Sequence, residues 1–337
     1  MKRSQISPSE AFDGATSKGV VAWLPPQNEI GFELTRAHLA SEAQAARRRA
    51  WPRRCLRVSL GCLLLGLLVS WFVGGALLAP QPRQVGDMPP GFQGRAITFS
   101  SESGATLAGW SVELQEDQGV VVLLHGIGGS RRDMLSRSKL LTEAGYSTLL
   151  IDLRAHGESG GESTTLGHLE RHDVRAAVAF ARELHPGEPI AVLGVSLGGA
   201  AALLASPLAV DAMVIDSAFS SLRQAVHNRV AARLGPLAYV PTELLLVQSR
   251  LRFGVSAEAI RPIEFMPELG CPLFLLSGEL DEETTPAETQ AMFDAALQPK
   301  RLWILPGAGH EDLYRIFPKS YKERVLGFLG EHLGRKR

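Results

Sequence analysis

A chain of 337 residues, 45% hydrophobic and 21% charged, is long enough for one large domain with appendages or for two small ones. Charge balances overall but not locally: residues 1–57 carry ten Lys/Arg against five Asp/Glu, and residues 95–337 carry 24 against 29, a net −5. That acidic balance removes nucleic acid from the expected partners of the larger part, and Cys55, Cys62 and Cys271 form neither a disulfide framework nor a zinc motif.

The N-terminal part, residues 1–55, is polar with weak periodicity and is expected to be a mostly disordered cytoplasmic tail. From Val58 to Ala79 the chain runs 22 residues without a charge. About 20 apolar residues cross a hydrocarbon core of roughly 30 Å, so residues 56–79 read as a transmembrane anchor. Six arginines (Arg47, Arg48, Arg49, Arg53, Arg54, Arg57) precede it and only Arg83 and Arg95 follow closely. The positive-inside rule then puts the N-terminus in the cytoplasm and the rest outside it, in a periplasm or lumen. Leu77, Ala79 and Pro80 make a poor cleavage site, which favours an uncleaved anchor over a signal peptide. Residues 80–94, rich in Pro and Gly, read as a linker.

From residue 95 to the end, short apolar runs alternate with helical patterns. "RAITFS" and "TLAGWSVEL" alternate like paired edge strands. "GVVVLLHG", "YSTLLIDLR", "PIAVLGVS", "AVDAMVIDS", "CPLFLLSG" and "RLWILPG" are continuous runs, as expected of parallel strands buried on both faces. Helices are expected at 132–144, 166–184, 197–205, 286–297 and 312–333. The alternation predicts an α/β fold: eight strands, mostly parallel, with helices on both faces. The stretch of about 217–268 is longer than a crossover needs and is expected to be a helical lid.

Ligands of open α/β sheets bind at the carboxyl ends of the strands. After the fifth, seventh and eighth strands come "GVSLGG", "GELDEETTP" and "GAGHEDLY". Ser196, Asp281 and His310 therefore follow one another in the chain order of a G-x-S-x-G nucleophile elbow and its partners. Gly194 and Gly198 leave room where a strained strand-to-helix turn closes on itself. His310 would serve as general base and Asp281 would orient its imidazole. Asp216, after the sixth strand, is the alternative acid. Backbone N–H groups of Leu197 and Ile127 would form the oxyanion hole, with His125 and Gly126 as structural members of that loop. No motif calls for a metal or an organic cofactor.

With these residues, 95–337 resembles the α/β-hydrolase superfamily, and within it the membrane-anchored serine hydrolases of the Bem46 and ABHD13/ABHD17-like group, akin to serine aminopeptidase domains. The carrying motifs are "LLHGIGGSRRDM", "DLRAHGESGGESTTLGHLERHDV", "GVSLGGAAAL", "IDSAFSSL", "CPLFLLSGELDEETTP" and "LPGAGHEDLY". The resemblance implies a Ser196/His310/Asp281 triad working through an acyl-enzyme, and a structural turn at "DLRAHGESGG". One departure is visible: Pro286 lies five residues after Asp281, where members of the group often have four. The expected activity is hydrolysis of an ester or thioester, with an amide less favoured; an acyltransferase or an idle binding module are the alternatives. The expected partners are a small, lipid-like acyl substrate and the bilayer.

Overall fold

The computed structural model describes residues 27–115 and 117–334. The chain divides into two compact units at Leu65/Gly66. One long helix, α1 (Gln27–Leu78), begins in the first and ends in the second. Residues 27–55 of the expected disordered tail are thus helical, while the tail before them lies outside the described residues. The reason is intrinsic propensity: "AHLASEAQAARRRA" lacks an apolar stripe but is rich in Ala, Glu, Gln and Arg, which favour helix without needing one. Pro52 sits inside α1 without ending it.

The second unit carries an eight-stranded sheet: β1 (Arg95–Ser100), β2 (Thr106–Val112), β3 (Val120–Leu124), β4 (Ser147–Ile151), β5 (Ile190–Val195), β6 (Ala212–Asp216), β7 (Leu273–Gly278) and β8 (Lys300–Leu305). Their spatial order is β8-β7-β6-β5-β3-β4-β2-β1. Pairing is parallel except around β2, which runs antiparallel to both β1 and β4. The continuous apolar runs have a two-sided cause. Val120, Val122 and Leu124 enter one core layer, while Val121 and Leu123 enter the layer on the other face. Ile190 and Val192 of β5 divide from Ala191 and Leu193 in the same way.

Helices α2 (Leu135–Glu143), α3 (Glu170–Leu184) and α4 (Leu197–Leu204) fall close to their expected places. Between β6 and β7 the stretch expected to be a lid consists of α5 (Leu222–Leu234), a tight turn at Gly235–Ala238, α6 (Tyr239–Phe253) and two further short turns. After β7 comes α7 (Pro286–Ala295), and after β8 come α8 (Leu313–Ile316) and α9 (Pro318–Leu333). The expected last helix is thus broken at Phe317, just before Pro318.

Residues 80–94, expected to be a linker, are held to the sheet unit near their start. Gln81 and Pro82 pair in parallel with His156 and Gly157. The Gln81 and Arg83 N–H groups donate to the carbonyls of Ala155 (2.7 Å) and Gly157 (2.9 Å), and the Val85 side chain is buried. Proline and glycine composition signals an absence of regular periodicity. It says nothing about docking through backbone groups.

Candidate active site

In the sheet β3 lies between β4 and β5, so the loops after β3 and β5 diverge at the switch point of the strand order, where such folds open a crevice. Ser196 stands directly after β5 and before α4, with φ 50° and ψ −111°. Left-handed φ at a non-glycine residue is strained and persists only where surroundings enforce it. Here they do: the Ser196 N–H donates to the Asp216 carbonyl at 2.8 Å, and α4 starts at the next residue. A Cβ at position 194 would lie 2.6 Å from the Gly199 nitrogen, and one at 198 would lie 2.7 Å from the carbonyl oxygens of Leu124 and His125. Both glycines are thus required by close backbone approach.

The structure brings Ser196, His310 and Asp281 together. Ser196 Oγ lies 3.3 Å from His310 Nε2, and His310 Nδ1 lies 2.8 Å from Asp281 Oδ2. Asp281 is buried and its second oxygen accepts from the N–H groups of Glu283 (2.9 Å) and Thr284 (2.8 Å). Burial alone would raise its carboxyl; the His310 contact and the Thr284 donors outweigh it and hold the carboxyl below its ordinary range. The geometry also separates the two candidate acids. Asp216 Oδ2 meets Arg137 Nη2 at 3.0 Å and the Tyr321 hydroxyl at 3.4 Å, so its carboxylate is engaged with α2 and α9.

On the β3 side, Gly129 donates back to the Gly126 carbonyl at 3.1 Å, closing a turn with Ile127 and Gly128 at its centre and Gly128 at φ 71°. Position 126 abuts the serine: a Cβ there would be 3.4 Å from Ser196 Cβ. The N–H groups of Ile127 and Leu197 have no protein acceptor among the described residues. His125 is buried; its Nδ1–H donates to the Gly126 carbonyl (2.7 Å) and its Nε2 accepts from the Leu153 N–H (3.1 Å). Burial and then nearby His156 push its pKa down to about 3, so it is neutral and its tautomer is fixed by these two bonds. Among the described residues, no cluster of His, Cys, Asp and Glu is arranged to hold a metal ion.

The fold that carries these loops has counterparts in known proteins. The family model described as "Alpha/beta hydrolase family" matches residues 121–319, more than half the chain. The chain belongs to that family. As an alpha/beta hydrolase it is similar to YqkD of Bacillus subtilis, 24% identical over 242 residues covering 69% of this chain and 78% of that protein. It is similar also to YfhR of Salmonella typhi, at 23% identity with 77% and 89% covered. Among solved structures, the Pyrococcus furiosus esterase Pf2001 superposes with a TM-score of 0.64 and 27% identity, covering 76% of this chain and 99% of that one.

Three features of this alpha/beta hydrolase lie outside what its sequence pattern announces. Thr284 donates its hydroxyl to Asp281 Oδ2 at 2.7 Å and lies 3.3 Å from His310 Nδ1. Its only signal is its place three residues after the acid. Arg137, Asp216, Tyr321 and Asp312 form a largely buried polar cluster, assembled from three distant segments: α2, the end of β6 and the α8–α9 region. Glu288 of α7 holds α5 and the turn before it: its Oε1 accepts from the Ser220 hydroxyl (2.7 Å), and its Oε2 accepts from Asn228 Nδ2 (2.7 Å).

Proposed function

We propose that the protein is a membrane-anchored serine hydrolase that cleaves an ester or thioester of a lipid-like acyl group. The observation carrying this reading is the continuous relay from Ser196 Oγ through the His310 ring to Asp281, at 3.3 and 2.8 Å. Ser196 Oγ attacks the acyl carbonyl while His310 Nε2 takes its proton. The ionised Asp281 stabilises the imidazolium so formed. The free N–H groups of Ile127 and Leu197, the latter at the N-terminus of α4, receive the negative charge developing on the carbonyl oxygen. Collapse expels the alcohol or thiol, which takes the proton from His310 and leaves the acyl group on Ser196. Water then enters, His310 accepts its proton, and the acid is released as Ser196 regains its hydrogen.

Likeness to an esterase supports ester chemistry over peptide cleavage. The anchor reading rests on the exposed apolar faces of α1, from Val58 to Leu77, and on the arginine cluster before them. It puts the catalytic unit outside the cytoplasm. The resemblance to the Bem46 and ABHD13/ABHD17-like group is part of the same proposal. Labelling by a fluorophosphonate probe tests the mechanism: wild type is labelled and Ser196→Ala is not. A folded wild-type protein that stays unlabelled overturns the reading.

A further inference from the structure

The lid carries an apolar stripe with no described residue packed over it. Leu237, Val240, Val247 and Leu251 recur at helical spacing and are 77%, 63%, 63% and 72% exposed. Leucines and valines on a helix shed water when they can, and four in one exposed stripe ask for an occupant.

The adjacent side of α6 says which. Gln248 Nε2 donates to the Ser70 hydroxyl (2.9 Å) and carbonyl (3.0 Å). Arg252 Nη2 donates to the Trp71 carbonyl (2.6 Å), and its guanidinium lies 4.0 Å from the indole centroid. The contact is close enough that a Cβ at Gly74 would collide with Gln248 Oε1. The lid is therefore clipped to α1 at residues 70–75, inside the uncharged run and beside the exposed Leu68, Phe72 and Leu77.

Depth follows by counting. From Val58, the roughly 20 residues needed to cross about 30 Å end near Leu77. Ser70 then lies about 10 Å short of that end, at 1.5 Å per residue. A helix clipped there cannot stay clear of the bilayer. The stretch Leu222–Phe253 is itself long and apolar enough to cross a membrane. It does not cross: Asn228 and Arg229 of α5 are tied to Glu288 and Glu283 of the catalytic unit.

We infer that α6 lies in the leaflet on the catalytic side of the bilayer, with the Leu237–Leu251 stripe among the acyl chains, and that the substrate is an acyl ester resident in that leaflet. Arg250, exposed in the last turn, reaches the headgroup phosphates. Gln81 extends the arrangement to the serine. It follows α1 by three residues, and its Oε1 would lie 3.1 Å from a Cβ at Gly128 in the turn beside Ser196. This inference rests on the anchor reading above.

The test uses the full chain, with its three cysteines replaced by serine, in vesicles of phosphatidylcholine and phosphatidylglycerol. Single cysteines at Val247, Leu251, Glu258 or Leu64 carry the fluorophore NBD. Expected are blue-shifted emission and quenching by doxyl lipids at 247, 251 and 64, but not at 258. Water-like emission at 247 and 251 with quenching at 64 overturns the inference and leaves the anchor intact. Loss of quenching at 64 overturns both. A second arm uses Val247→Asp with Leu251→Asp: hydrolysis of p-nitrophenyl palmitate in vesicles falls about tenfold while that of soluble p-nitrophenyl acetate stays within about twofold. Equal effects on both substrates overturn the inference.

Discussion

Thr284 and His310 share one carboxylate oxygen: Oδ2 of Asp281 accepts from the threonine hydroxyl at 2.7 Å while facing the imidazole Nδ1 at 2.8 Å. The hydroxyl fixes where the carboxylate points, and the carboxylate fixes the ring. Thr284→Val keeps the shape and removes the donor. It is expected to lower kcat about tenfold with little change in KM, while Thr284→Ser restores most of the loss. Steady-state kinetics on p-nitrophenyl butyrate checks both variants.

The two candidate acids are separable in the same assay. Asp281→Asn is expected to reduce kcat by about 10³–10⁴-fold, because the amide turns the imidazole to the wrong tautomer. Asp216→Asn instead disturbs the charge opposite buried Arg137. It lowers the urea midpoint, yet the remaining folded protein reacts with a fluorophosphonate at a rate within about threefold of wild type.

Glycine-to-alanine substitutions have opposite signs at different places. Gly194→Ala and Gly198→Ala force a Cβ to within 2.6–2.7 Å of backbone. Each is expected to cost more than about 2 kcal/mol, and to abolish fluorophosphonate labelling in whatever folds. Gly327 is exposed on α9, and a methyl group added there would meet nothing within 4 Å. Gly327→Ala is expected to stabilise by about 0.5–1 kcal/mol through helix propensity. Urea unfolding of all three decides the point.

His125 makes stability depend on pH. Folding lowers its pKa from 6.5 to about 3, so between those values the unfolded chain binds a proton that the folded chain refuses. Stability therefore falls as pH drops below about 6.5, with a slope of up to one proton, about 1.4 kcal/mol per pH unit. Buried Asp173 pulls the other way, since burial raises its carboxyl to about 6 and its contribution fades as pH rises through that value. The readout is accordingly a difference: His125→Gln is expected to be less stable than wild type at pH 7, with the gap narrowing by pH 5.

The sheet was readable because strands buried on both faces leave continuous apolar runs, and because each of Ser196, Asp281 and His310 follows such a run. Glycine spacing around Ser196 was readable because backbone closeness admits no other residue. What the sequence hid was of two kinds. Residues 27–55 form helix through propensity alone, without the apolar stripe that betrays a packed helix. Arg137 and Glu288 hold their partners across folded distances, and no local pattern marks a polar side chain whose partner lies 79 residues away, as Asp216 does from Arg137.

Under the proposed anchor, the pairing of Gln81–Pro82 with His156–Gly157 bears on how high the active site rides above the bilayer. A free tether of fifteen residues would let an enzyme sample many heights and tilts above a surface, and lengthening it would change only the average. Here the tether is bolted to the domain within a few residues of the helix end. Height and tilt are then structural constants, like the throw of a crank. Inserting glycines after residue 86 would leave them unchanged, whereas inserting the same glycines between Leu78 and Gln81 would leave the contacts of Gln248 and Arg252 with Ser70 and Trp71 to hold the helix alone.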